Sequence, residues 1–136
     1  MFRLDEKLSK DCDLVTELHF CQLLLMNDKQ YPWLILVPKV SDIEEVYELT
    51  REQQHNLWDE VAETSKALKQ IFNPDKLNIG ALGNIVRQLH VHVVARFKED
   101  IAWPGPVWGA HPPKAYPQDE KEKLIKKLKQ KLVPVL

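Results

Sequence analysis

Two histidines stand two residues apart, His90 and His92, with Gln88 before them at the same spacing, in the stretch Asn84-Ile-Val-Arg-Gln-Leu-His-Val-His-Val-Val94. Imidazole can ligate a metal, attack phosphorus or pass a proton near neutral pH, because its ordinary pKa of about 6.5 leaves it largely unprotonated there. From Gln88 to Val94 polar and apolar residues alternate, the period of a strand with one buried face. That period sends Leu89, Val91 and Val93 into a core and sets Gln88, His90 and His92 in a row on the opposite face. Three polar side chains are costly to bury without partners, so the row predicts that something polar meets it.

The residues alone support three chemistries. Two imidazoles on one strand face can share a metal ion, but a third ligand is then needed. No Cys-x-x-Cys or His-Glu-x-x-His pattern offers one; His111, Asp28 and Glu99 remain by elimination only, and neither metal nor other cofactor is expected. Alternatively, one histidine attacks phosphorus while the other hydrogen-bonds a phosphate oxygen or moves a proton to the leaving group. Gly83 and Asn84, just upstream, would then offer backbone N–H and amide donors to the phosphate. The third chemistry is none: histidines satisfied in a polar network without substrate. The residue pattern leaves the last two open.

Composition bounds the rest. A chain of 136 residues with 44% apolar and 29% charged residues suits one globular domain, 1–136. Nineteen basic against 20 acidic residues give a formal charge of −1, so no global attraction to nucleic acid or an anionic membrane follows. Phosphate affinity must come from a local site. The start, Met-Phe-Arg-Leu-Asp-Glu-Lys-Leu, is charged rather than an apolar leader, and the apolar runs 23–26 and 33–37 are too short to span a bilayer. With Cys12 and Cys21 as the only thiols, the expectation is a cytoplasmic protein with both reduced.

Several elements must position the row. Residues 3–10 predict a short amphipathic helix, and residues 14–26 one strand carrying His19 as a partly exposed residue. Asn27-Asp28-Lys29-Gln30 is turn chemistry leading through Tyr31-Pro32 into a strand over 33–37 that Pro38 closes. Ser41-Asp-Ile-Glu44 and Thr50-Arg-Glu-Gln53 both have the form of capping boxes, predicting a short helix and then a longer one. In the longer helix Leu57, Val61, Leu68 and Ile71 recur at helical spacing, with Trp58 read as core and His55 as solvated. Asn73-Pro74 ends it. Strands are predicted over 76–81 and 85–96, joined by a tight turn at Leu82-Gly83-Asn84. The stretch 101–113 is broken by proline and glycine, yet Trp103 and Trp108 predict an ordered, packed loop. A last helix covers 118–132, its lysines gathered toward the negative end of the dipole. Two hairpins around a helical insert favour an α+β domain with a mostly antiparallel sheet.

Asn78-Ile-Gly80, Gly83-Asn84, Val86 and Gln88-Leu-His-Val-His-Val-Val94 resemble the signature of the histidine-triad (HIT) superfamily. Tyr31-Pro-Trp-Leu-Ile-Leu-Val-Pro-Lys39 and Trp103-Pro104 are similar to its flanking segments, so the likeness runs from about residue 18 to 109. Bacterial HIT-like proteins of the diadenosine tetraphosphate hydrolase type look most similar. The resemblance implies a HIT-like fold with about five strands, a long helix and a carboxy-terminal helix. It further implies a nucleotide phosphohydrolase or nucleotidyl transferase, commonly a homodimer, for which the Trp103 to Trp108 loop or the Trp58 helix would supply the apolar contact. His90 would attack the α-phosphate and His92 would hydrogen-bond it. Asn78, Gly83 and Asn84 would hold the phosphate or orient the nucleophile's surroundings, and Asp28 would bind ribose. Gln88 occupies the place of the first histidine, making a Gln-His-His variant, and Ile85 stands where several relatives carry Ser or Thr. Glutamine can orient but carries no proton charge. The alternative is therefore a nucleotide-binding module that has lost turnover. Arg87 and Arg96, flanking the row, are expected in surface ion pairs.

Overall fold

The computed structural model describes residues 1–132. The elements, in chain order, are helix α1 (Glu6–Asp11), strands β1 (Cys12–Glu17), β2 (Cys21–Met26) and β3 (Trp33–Pro38), a 3₁₀ turn at Val46–Glu48, helix α2 (Arg51–Phe72), strands β4 (Lys76–Gly80) and β5 (Val91–Arg96), and helix α3 (Gln118–Leu132). All four strand pairings are antiparallel, in the order β1-β2-β3-β5-β4. This is the α+β architecture expected, with its five strands, long helix and carboxy-terminal helix.

Burial at every position of β3 and β5 shows how the sheet is covered. Alternate residues face two separate cores, because successive side chains of a strand point to opposite faces. On one face Leu34, Leu36, Val91 and Val93 meet Leu57, Val61 and Leu68 of α2 and Leu128 and Leu132 of α3. On the other, Trp33, Ile35, Val37 and Val94 meet Leu8 of α1 and Val107 of the loop after β5. His92 lies on this second face by strand alternation. Its covering is thin: one short helix and one loop.

Local chemistry explains most boundaries. Asp5 caps α1, its carboxylate accepting from the N–H groups of Lys7 and Leu8. Thr50 and Gln53 form the capping box expected at the start of α2, and Asn73 ends that helix in the left-handed conformation at φ 48°. α3 has the predicted span.

Several expectations are corrected. Residues 14–26 hold two strands, because the chain reverses at His19-Phe20 and Glu60 of α2 accepts from the N–H groups of Phe20 and Cys21. That carboxylate comes from a distant segment, so no local turn signal announced it. α1 starts at Glu6, three residues late. Ser41-Asp-Ile-Glu44 opens no helix; Glu45 and Glu48 form the capping box, around a single 3₁₀ turn. β5 starts at Val91 rather than 85, and the link from β4 runs irregularly through residues 81–90 rather than through a tight turn. Trp58 is 45% exposed, on the flank of the buried stripe.

Arg96 is corrected most. It is 1% exposed, its Nε and Nη2 donating to Asp100 at 2.9 and 3.0 Å and its Nη1 to Asn78 Oδ1 at 2.7 Å. Its guanidinium lies 5.7 Å from the ring centres of both Tyr31 and Trp103. Asp100 also accepts from the N–H groups of Phe97, Ala102 and Trp103. Burial alone would raise the Asp100 pKa, but the Arg96 hydrogen bond and charge and the backbone donors outweigh it and hold it below the usual range. This pair bolts the loop that carries Val107 and Trp108 to the sheet. Asp100→Ala leaves the guanidinium buried without its counter-charge; the expected loss is roughly 3–5 kcal/mol in urea unfolding, with a red shift in tryptophan emission. A loss below about 1 kcal/mol would contradict the bolt.

Candidate active site

The second sheet face opens into a cavity of about 420 Å³ lined by Trp33 and Ile35 of β3, His90, His92, residues 82–86 of the β4–β5 link, Trp108, and Lys7, Leu8 and Asp11 of α1. A groove of about 660 Å³ shares Lys7, Asp11, Met26, Trp33, Ile85 and Gly109 with it and extends past Asp28 and His111. The two form one depression, apolar at its base and charged at its lip.

His92 sits within β5, opposite Ile35 of β3. The indole Nε1 of Trp33 donates to its Nδ1 at 3.0 Å. An indole N–H can only donate, so Nδ1 accepts, and in neutral His92 the proton resides on Nε2. Burial first, and the neighbouring His90 second, lower its pKa to about 3. His92 is therefore a neutral Nε2–H donor across the physiological range. The ring is packed by Trp33 and Trp108, with centres 5.7 and 5.4 Å away.

His90 comes just before β5, its ring centre 5.0 Å from that of His92. Its Nδ1 lies 2.7 Å from the carbonyl oxygen of Gln88. A carbonyl can only accept, so His90 Nδ1 holds the proton and Nε2 of the neutral ring keeps its lone pair. The two imidazoles thus take opposite tautomers, one with a bare Nε2 and one with an Nε2–H.

Backbone sterics fit this arrangement. Gly83 has φ 72°, a region open to glycine, where the β4–β5 link folds over the cavity. At Gly80 an added Cβ would lie 3.3 Å from Trp108, so the absence of a side chain lets that indole reach across β4 toward His92.

The expected site residues separate. His90, His92, Gly83 and Asn84 all line the cavity. Asp28 lies in the adjoining groove, 2% exposed, with Oδ1 accepting from Gln30 N–H, Gln30 Nε2 and Lys114 N–H. Asn78 is drawn to Arg96 and does not line the cavity. Gln88 turns its side chain to the amino-terminal segment. Ile85 stands at the lip, 81% exposed, and Arg87 pairs with Glu44 on the surface. Among the described residues no group of three His, Cys, Asp or Glu is placed to hold a metal ion, and no helix is long and apolar enough to cross a membrane. Cys12 and Cys21 are free and buried. The sequence reading missed Trp33 and Trp108 as ring partners and the wall supplied by Lys7, Leu8 and Asp11. The indole of Trp33, the first residue of a predicted strand, was the available signal.

The HIT domain model matches residues 7–99. The chain is similar to a solved histidine triad protein from Sinorhizobium meliloti, at 47% identity over 97% of this chain and 98% of that one, with TM-score 0.95. It is similar to another from Bradyrhizobium japonicum, at 43% identity over 96% and 98%, with TM-score 0.94. A third, from Marinobacter aquaeolei, is 45% identical over 100% and 99%, with TM-score 0.96. No curated protein matches the chain significantly.

The neutral His92 has a consequence for acid stability. Between its ordinary pKa of 6.5 and its lowered value of about 3, the unfolded chain binds a proton that folded His92 refuses. Stability therefore falls as pH falls through that window, by up to about 1.4 kcal/mol per pH unit from this group. In His92→Asn the urea unfolding free energy should fall less steeply than in the parent between pH 6.5 and 4. Equal slopes would contradict a buried neutral imidazole.

Proposed function

This chain belongs to the HIT domain family, and on that premise we propose that it transfers or hydrolyses nucleotides at the α-phosphate through His90. The observation that carries the reading is the pair of opposite tautomers. A bare Nε2 on His90 is a nucleophile, and the Nε2–H of His92, 5.0 Å away between ring centres, is a donor to a phosphate oxygen that needs no protonation event.

In the first step the His90 Nε2 lone pair forms an N–P bond while the P–O or P–N bond to the leaving group breaks with its electron pair. The departing group takes up a proton from solvent. In the second step water attacks phosphorus, the N–P bond breaks, and a nucleoside monophosphate leaves with the proton of that water lost to solvent. The Gln88 carbonyl, by accepting from Nδ1–H, supports the positive charge that His90 gains on phosphorylation. Met26, Ile35, Trp33 and Val86 form an apolar wall suited to a planar base. The continuity of the cavity with the groove beyond it supports dinucleoside polyphosphates as one substrate class to test.

The experiment mixes purified protein with dinucleoside polyphosphates, nucleotide sugars and nucleoside phosphoramidates, and quenches in alkali to preserve the phosphoramidate. Mass spectrometry should then find a nucleoside monophosphate on His90. His90→Ala should lower turnover by about a thousandfold or more. A His90→Ala protein as active as the parent overturns the reading. Calorimetric binding of AMP with no adduct and no turnover would favour the binding-module alternative.

A homodimer forms the second part of the proposal. β4 is an edge strand, and Ile79 on it is 47% exposed. An open apolar edge favours pairing with a second copy. The tryptophans of loop 101–113 are turned to Arg96 and His92 and are poor candidates for that contact. Light scattering should give about twice the 15.9 kDa chain mass, and Ile79→Lys should halve it. A monomeric parent would refute the dimer.

A further inference from the structure

Gln88 heads the histidine row, yet the hydrogen bonds of its side-chain amide go to backbone groups of the amino-terminal segment. Its Oε1 accepts from the Asp5 N–H at 2.8 Å, and its Nε2 donates to the Arg3 carbonyl at 2.9 Å. One planar amide thus grips two backbone groups, as a neighbouring strand would. Glutamine is suited to this, because its donor and acceptor lie side by side. A neutral imidazole carries its donor and acceptor on nitrogens that point apart and cannot make both bonds. A carboxylate can accept from Asp5 but has nothing to donate to Arg3.

The gripped segment leads directly to the cavity. Asp5 caps α1, Leu8 is buried, and α1 sets Lys7 and Asp11 on the wall. Among the described residues lining that cavity Lys7 is the only lysine or arginine. It pairs with Asp11 at 2.8 Å, with side chains 54% and 37% exposed. Such an exposed pair is weak and exchanges readily for a stronger anion. The peptide carbonyl of Gln88, meanwhile, holds His90 Nδ1. One residue therefore ties the amino-terminal segment and the nucleophile to the same point of the backbone.

We propose that Gln88 is a positioning residue that fastens residues 3–11 across the cavity as a strap, and that Lys7 on this strap leaves Asp11 to bind a phosphate of the substrate. The phosphate role rests on the nucleotide reading above; the clamp does not. Gln88 in this view replaces no lost acid or base, and a histidine at its position would release the strap instead of completing a triad.

Hydrogen exchange by mass spectrometry, over the segment containing Asp5, and AMP binding by calorimetry separate these roles. Gln88→Ala and Gln88→His should both speed exchange across residues 3–8 by about tenfold or more. Both should weaken AMP binding about tenfold, and should raise KM for the best substrate of the panel much more than they lower kcat. Lys7→Gln, a change on an exposed side chain, should leave exchange as in the parent while weakening AMP binding about fivefold and flattening its salt dependence. Gln88→Ala with parental protection of residues 3–8 overturns the clamp. Gln88→His binding AMP as tightly as the parent overturns the strap's part in the site. Lys7→Gln with parental affinity and salt dependence overturns the phosphate contact. A parent protein without AMP affinity removes the nucleotide reading and Lys7's role with it, and the exchange data then judge the clamp alone.

Discussion

The indole N–H of Trp33 meets Nδ1 of His92 at 3.0 Å inside the sheet, and the chemistry of the site depends on that contact. The two residues lie diagonally across the β3–β5 pairing, on the same face, so the register of the sheet brings them together. A buried indole N–H without an acceptor costs about 1–3 kcal/mol, and a buried charged imidazole costs more. Both penalties are avoided by one arrangement, in which His92 stays neutral and its proton sits on Nε2. The ring that would otherwise titrate near neutrality becomes a fixed dipole.

The remaining structure maintains this arrangement and gives it a partner. Trp108 closes over His92 because Gly80 leaves room and because the Arg96–Asp100 pair holds the loop that brings it there. Helices α2 and α3 pack on the opposite face and form the larger core, so the site face, with only α1 and a loop over it, can remain thinly covered and partly open. His90 lies just outside the regular strand, where its Nδ1 can turn back to a peptide carbonyl two residues earlier. The irregular link before β5 is therefore a condition of that hydrogen bond: a ladder continued to residue 88 would use that carbonyl or its neighbours in pairing.

Much of this was legible in the sequence, for identifiable reasons. The capping box at Thr50, the end of α2 at Asn73-Pro74 and the span of α3 are set by local hydrogen bonding and by a stripe of period 3.6, which neighbouring residues reveal. The His-x-His spacing and its flanks pointed to the family. What escaped was set by side-chain contacts that no local pattern announces, most of them between distant segments, although Asp100 lies only four residues from Arg96. Glu60 makes the reversal at His19-Phe20, Asp100 draws Arg96 from the surface into the interior, and Arg96 takes Asn78 away from the cavity. Alternation from Gln88 onward also promised a side chain facing the substrate. The chain leaves strand geometry before Val91, and the Gln88 amide meets backbone groups more than 80 residues earlier in sequence. No local pattern encodes such a contact.

The opposite tautomers of His90 and His92 can be read directly by long-range ¹H–¹⁵N correlation spectra of histidine-labelled protein at pH 8. The expected spectrum shows His92 protonated on Nε2 with a hydrogen-bonded, bare Nδ1, and His90 protonated on Nδ1 with a bare Nε2. Two rings in the same tautomer, or a His92 carrying both protons, would contradict a neutral Nε2–H donor set beside a bare Nε2.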